Sequence, residues 1–433
     1  MYRAPFHRRI LPWIFALVFL VSAPALVFYT AGYRWNGKKD KIERNGTLIL
    51  DSEPPAARVL LNGRDSEETT PVTLQNVTPG SYVIRMERDG YHPWQKRLEV
   101  YPEFVTFANT VFLWRISDPV AFIRQAASHI EPSPNASFIA GMTEAASSSE
   151  LLVWNADGSE RDRFSFTNRL PRSIHLTWSA DSRALLVEHD AATGTNAWFI
   201  NVRTGVGPTV LPRGSYLWDG SSIRGVSEKS RIAINIEDGS FTRTPLPGGA
   251  VDRYGDMILK TTTGTDALVI FQENTPSRGL ILPAGDWRFA NVINNHIMLK
   301  TGNEWISLNP DDTAPSVHRV FGDRLRPYVT RQKTSYLLVN GGELWLWDPA
   351  LEPELLLRQS QPIIEAMWHE SGRSIIVATE TNVSILDLDP RDGRLQTQLT
   401  TFDRLQDAAL LKQQLIVSGD KNEQTAIWSL EIE

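Results

Sequence analysis

The chain has 433 residues, a formal net charge of −6 and no cysteine. Without cysteine there is no thiol nucleophile, no thiolate metal site and no disulfide, so an exported form would rest on core packing alone. The mildly acidic balance argues against a nucleic-acid partner, and the length is enough for more than one core.

Residues Ile10 to Tyr33 carry no charged side chain and read ILPWIFALVFLVSAPALVFYTAGY. As a helix the stretch reaches about 36 Å, enough to cross a hydrocarbon layer of about 30 Å with some tilt. Trp13 near one end, and Tyr29 and Tyr33 near the other, stand at expected interface positions. Pro12 falls in the first turn, where proline is tolerated, and Pro24 is expected to kink the helix. Ser22-Ala23-Pro24-Ala25 resembles a signal-peptide cleavage site, yet the apolar run continues past it, which favours an uncleaved signal anchor. Residues 1–9 therefore read as a cytoplasmic N-terminus, 10–33 as a transmembrane helix and 34–45 as a linker. By count, Arg34, Lys38, Lys39, Lys41 and Arg44 outweigh Arg3, Arg8 and Arg9 and favour the reverse orientation. Long domains translocate largely regardless of flanking charge, so the expectation is a single pass through the cell membrane with the C-terminal domains extracytoplasmic.

From 46 to 115, short alternating strands are divided by sharp turns. Thr47-Leu48-Ile49-Leu50 reads as a strand broken by Asp51-Ser52-Glu53-Pro54-Pro55. Arg58-Val59-Leu60-Leu61 is a second, followed by Asn62-Gly63, a strong two-residue hairpin signal. Val72-Thr73-Leu74, Ser81 to Met86, Lys96 to Val100 and Phe104 to Phe107 supply others, with turns at Thr78-Pro79-Gly80 and Asp89-Gly90. In order, Pro54-Pro55-Ala56-Ala57-Arg58-Val59, Asn62-Gly63, Thr70-Pro71, Pro79-Gly80-Ser81-Tyr82 and Gly90-Tyr91 resemble the motif of the PEGA domain, with Ala56 where that motif usually has glycine. The resemblance implies a small β-sandwich-like module of a bacterial or archaeal surface protein, with no catalytic role. Tyr82 and Tyr91 read as core rings rather than ligand contacts.

From 118 to 433, apolar strand pairs recur. Phe138-Ile139-Ala140 with Leu151 to Trp154 is the first and Leu415-Ile416-Val417 with Ala426 to Leu430 the last of eight such units. The spacing is close to forty residues over the last five units and irregular before. A period of about 40 to 45 residues with four strands per unit is the signature of a β-propeller. Eight blades are favoured, and seven stay open if the final strands close the ring with Val120 to Ile123. Ser133-Pro134-Asn135-Ala136, Trp178-Ser179-Ala180-Asp181-Ser182-Arg183 and Trp368-His369-Glu370-Ser371-Gly372-Arg373 resemble the turn of TolB-like and WD40-like propeller repeats. The fold class is thus all-β behind one N-terminal helix.

The sequence offers no catalytic constellation. His7, His92, His129, His175, His189, His296, His318 and His369 form no close metal-ligand pair, and neither a nucleophile elbow nor a phosphate loop occurs. Asp387 to Gly393 loosely resembles a calcium loop, but Arg391 occupies a ligand position, so a polar turn is favoured. Four Asn-x-Ser/Thr triplets, at Asn45, Asn76, Asn135 and Asn382, are chance-level signals. Alternation puts Trp345 and Trp347 on one strand face as packing residues, while Trp218, Trp287 and Trp368 lie nearer turns. The expectation is a non-enzymatic, membrane-anchored envelope protein without cofactor or metal, presenting the propeller to an envelope protein or a cell-wall or surface glycan. The alternative is an envelope enzyme with its catalytic site at the propeller channel.

Overall fold

A computed structural model describes residues 6–30, 33–36 and 41–433, except 126, 145–146, 172–173, 192–193, 228, 247, 249, 255–256, 262–267, 273–274, 283–284, 286, 294–295, 309–318, 331–333 and 350. The chain divides into two compact units, Met1–Ile116 with Asp389–Leu395 and Glu433, and Ser117–Leu388 with Gln396–Ile432.

The first unit begins with one unbroken 25-residue helix, Phe6–Thr30. It starts a turn before the charge-free stretch, because Arg8 and Arg9 are good helix formers and nothing before Ile10 stops the helix. It ends at Thr30, whose hydroxyl donates to the Leu26 carbonyl at 2.9 Å. Tyr33 lies beyond it, in a ribbon of Tyr33–Asn36 against Lys41–Arg44 that occupies most of the stretch expected to be a linker. Trp13 to Thr30 is long and apolar enough to span a membrane, and none of it is buried by the protein.

The remainder of this unit is a sandwich of two small sheets. Strand Gly46–Glu53 is the middle of one, antiparallel to Val72–Val77 and parallel to Val105–Phe112. The other has the order Arg64–Thr69, Arg58–Leu61, Gly80–Glu87, Trp94–Val100. Leu48, Leu50, Val59, Ile84 and Met86 are fully buried between the sheets, each contributing about 1.5–3 kcal/mol of apolar burial. Asn62 and Gly63 both have positive φ and join Leu61 to Arg64 by the two-residue turn that the dipeptide predicts. The first strand runs on to Glu53 instead of breaking at Asp51, because Leu113 donates its amide to the Glu53 carbonyl at 2.8 Å. Ala56 has φ 63°, which explains the usual glycine there: the left-handed region costs any residue with a Cβ about 1–2 kcal/mol. Tyr82 and Tyr91 pack against the core while partly exposed.

The second unit holds eight successive four-stranded antiparallel sheets among the described residues. The first comprises Ser128–Pro132, Phe138–Glu144, Ser149–Asn155 and Glu160–Ser165, and the next six repeat this meander in chain order. The eighth takes Arg404–Leu411, Gln414–Lys421 and Gln424–Glu431 from the far end and its fourth strand, Val120–Ile123, from before the first sheet. This strand exchange closes the sheets into a ring, which is a β-propeller. All eight apolar pairs predicted from the sequence are the two middle strands of these sheets. Middle strands are covered on both faces by neighbouring sheets, so they are the most continuously apolar. Trp347 is fully buried with Tyr336, Met298 and Trp305, with Trp345 against the same cluster, so both pack between the fifth and sixth sheets.

The three motif turns share one construction. In the second sheet Ser179 Oγ donates to Asp181 at 2.7 Å and accepts from the amides of Arg183 at 3.1 Å and Ala184 at 3.0 Å. Ser133 accepts from Phe138 N at 3.0 Å in the first sheet, and His369 Nδ1 lies 2.8 Å from Ser371 Oγ in the seventh. The fourth residue of each turn, Ala136, Ser182 or Gly372, has positive φ. Hence the motif needs a polar side chain at its head, serine or histidine, and a residue in the left-handed region three places on.

Candidate functional site

The first strands of the sheets line a cavity of about 970 Å³. Its wall draws on all eight sheets, although the fourth, seventh and eighth give one residue each, Val251, Glu365 and Asp407. An innermost strand has a sheet partner on one side only. Its other edge faces the adjacent innermost strand, and its buried amides and carbonyls there need partners from side chains.

Two kinds of side chain supply them. In the fourth, seventh and eighth sheets the register slips immediately before an acid on the innermost strand: Asp252, Glu365 and Asp407. Each accepts from the amide that follows it, Arg253 N at 2.7 Å, Ala366 N at 3.2 Å and Ala408 N at 2.9 Å. Asp252 and Asp407 also accept from the next sheet's innermost strand, from Phe289 N at 3.0 Å and Ile130 N at 2.8 Å. The carbonyls are met by indoles. Trp178, Trp218 and Trp368 each donate to the innermost strand of the preceding sheet, at Glu131 O (2.9 Å), Thr177 O (3.2 Å) and Arg326 O (3.1 Å). Trp218 and Trp368 thus serve the ring, and Trp287 is fully buried.

Glu365 is long enough to reach farther. Its carboxylate holds Arg324 Nη1 at 2.5 Å and Arg326 at 3.1 Å through both Nε and Nη2. Arg326 also lies 3.7 Å from Glu131 across the cavity. Burial alone would raise Glu365, but Arg326 and Arg324 together outweigh it and hold the carboxyl below its usual range. Burial raises Glu131, against the pull of Arg326. Burial, helped by the charge of Glu365, pushes Asp407 up to about 7. The two guanidiniums are partly exposed to the cavity and oriented by a fixed counter-ion, an arrangement that suits anionic oxygens.

Sequence reasoning did not single out these five residues. The available signal was an acid inside an otherwise apolar strand, as in Ile363-Ile364-Glu365-Ala366-Met367-Trp368, since such a residue is seldom buried unpaired. Among the histidines, His129 and His175 line the cavity, His369 is buried in its turn, and His318 lies outside the described residues. Asp389, in the segment resembling a calcium loop, binds Arg391, at 2.7 Å from Nη2. Among the described residues no three histidine or acidic side chains are placed to hold a metal ion.

Residues 45–112 match the model of the PEGA domain family. Residues 45–112 are a PEGA domain. The match spans the whole two-sheet sandwich as far as Phe112. Among solved structures, the chain is similar to the β-propeller domain of Cps50 (Swd1) from Myceliophteria thermophila, at 11% identity and TM-score 0.43, covering 73% of this chain and 100% of that one. It is also similar to AztD from Citrobacter koseri in its apo form, at 12% identity and TM-score 0.41, covering 71% of this chain and 97% of that one. No curated protein sequence matches the chain.

Proposed function

We propose that this is a single-pass, membrane-anchored protein of a bacterial cell envelope, with the PEGA domain and the propeller outside the cytoplasm and the propeller cavity as a non-catalytic binding site for an envelope protein or glycan. The observation that carries the reading is the combination in one chain of an unburied apolar helix, a PEGA domain and a ring of sheets around a charged cavity of about 970 Å³. Propellers commonly bind through the ends of the central channel.

The test uses the full chain in native membranes. A photo-cross-linker replaces Lys229, an exposed residue of the cavity wall, or Asp157, an exposed residue in an outer turn. The expected outcome is one glycan or protein captured from Lys229 and not from Asp157, with capture lost in Arg326→Ala. Identical capture from both positions would sink the reading. The second reading, an envelope enzyme, draws on Asp407, a cavity carboxyl held near 7, since perturbed carboxyls concentrate at catalytic sites. It requires turnover of an envelope substrate that Asp407→Asn abolishes.

A further inference from the structure

The first unit carries an apolar surface that its own core does not cover. Tyr101 and Phe104 are 58% and 68% exposed on the loop between strands Trp94–Val100 and Val105–Phe112. Val105 and Phe107 continue the patch along the second strand, also exposed. Clustered exposed aromatic and aliphatic groups mark an interaction surface.

The position of the loop selects the partner. Gly80 faces Val100 at one end of the sandwich and Met86 faces Trp94 at the other, so the loop belongs to the Gly80 end. There Thr47 N donates to Phe104 O at 3.1 Å, Glu103 N donates to Asn45 O at 3.2 Å, and the Glu103 carboxylate pairs with Arg44 at 3.1 Å. Arg44 faces Tyr33 across the ribbon, with its guanidinium 4.9 Å from the ring centroid. The Tyr33 ring in turn meets Phe28 edge-on, with centroids 5.2 Å apart. Contacts therefore run without a gap from the C-terminal end of the helix through the ribbon to the aromatic loop.

We propose that the patch formed by Tyr101, Phe104, Val105 and Phe107 seats in the headgroup region of the phospholipid bilayer that the helix crosses. The proposal rests on the membrane-anchor reading above. An anchored helix fixes the plane of the bilayer at its end, and the loop is tethered beside that plane. Tyrosine and phenylalanine are side chains that gain from the interface, where an apolar ring sits about 5–10 Å into the boundary.

The chain has no cysteine, so single-cysteine variants label cleanly. The full chain is reconstituted in phosphatidylcholine vesicles with an environment-sensitive fluorophore at Phe104→Cys, at Val21→Cys in the helix, or at Asp89→Cys. Asp89 lies in the turn at the other end of the sandwich, ~20 Å away along the strands. Nitroxide-bearing lipids are the quenchers. The expected result is loss of most emission at 104 and at 21 and none at 89, with quenching at 104 abolished by adding Tyr101→Asp. Quenching at 21 with none at 104 overturns the proposal and leaves the anchor standing, pointing to a protein occupant of the patch. No quenching at 21 overturns the anchor and the proposal together.

Discussion

Ser179 is fully buried, and its hydroxyl serves two amides and one carboxylate at once. Ser179→Ala takes this acceptor from the buried Ala184 amide, while Arg183 N keeps Asp181, so an unfolding free energy lower by about 1–3 kcal/mol is expected, read as a shift in urea midpoint. Asp407 makes a prediction of the opposite kind. An unfolded aspartate titrates near ~3.9, whereas burial holds this one at about 7. Between those values only the folded chain carries the proton, so this group's contribution to stability is full in acid, declines as pH rises from about 4 to about 7, and is flat beyond. Asp407→Asn removes that slope. Comparing urea midpoints at about pH 4.5 and about pH 7.5, the variant should lose less stability on going up in pH than the parent. An unchanged difference would mean that the carboxyl is ionised throughout.

The strands divide by how plainly their pattern declares them. Ile375-Ile376-Val377 and Val383-Ser384-Ile385-Leu386 are buried on both faces, and the sequence marks them as a pair without ambiguity. Innermost strands are harder to read. Arg324-Leu325-Arg326 and Leu405-Gln406-Asp407 place charges where a core strand would be apolar, because one side of these strands is cavity. The parallel pairing of Gly46–Glu53 with Val105–Phe112 escaped sequence reading altogether, since nothing local records which distant strand comes alongside. The closing strand Val120–Ile123 was visible as a possibility, and its ladder to Ser429, Trp428 and Ile427 makes it testable. The double variant Ala121→Pro with Ile123→Pro loses two amide donors, each hydrogen bond worth about 1 kcal/mol, so amide exchange across Gln424–Glu431 should rise roughly thirtyfold. Exchange across Ser374–Thr379, in the neighbouring sheet, should stay unchanged.

Across the chain, architecture was far more legible than the site. A repeated pair of apolar strands advertises itself every forty residues or so, whereas the cavity cluster is assembled from Glu131, Arg324, Arg326, Glu365 and Asp407, which only ring closure brings together. That closure has a consequence for how the protein is made. The strand Val120–Ile123 leaves the ribosome early, but its partner Gln424–Glu431 follows about 300 residues later, which at about 5–20 residues per second is tens of seconds of waiting. During synthesis the growing array presents an unpaired edge at each end, and the first sheets must stand without a neighbour on one side. Nascent chains of this protein should therefore be clients of holding chaperones until translation nears its last strand, and the cavity exists only after that strand arrives.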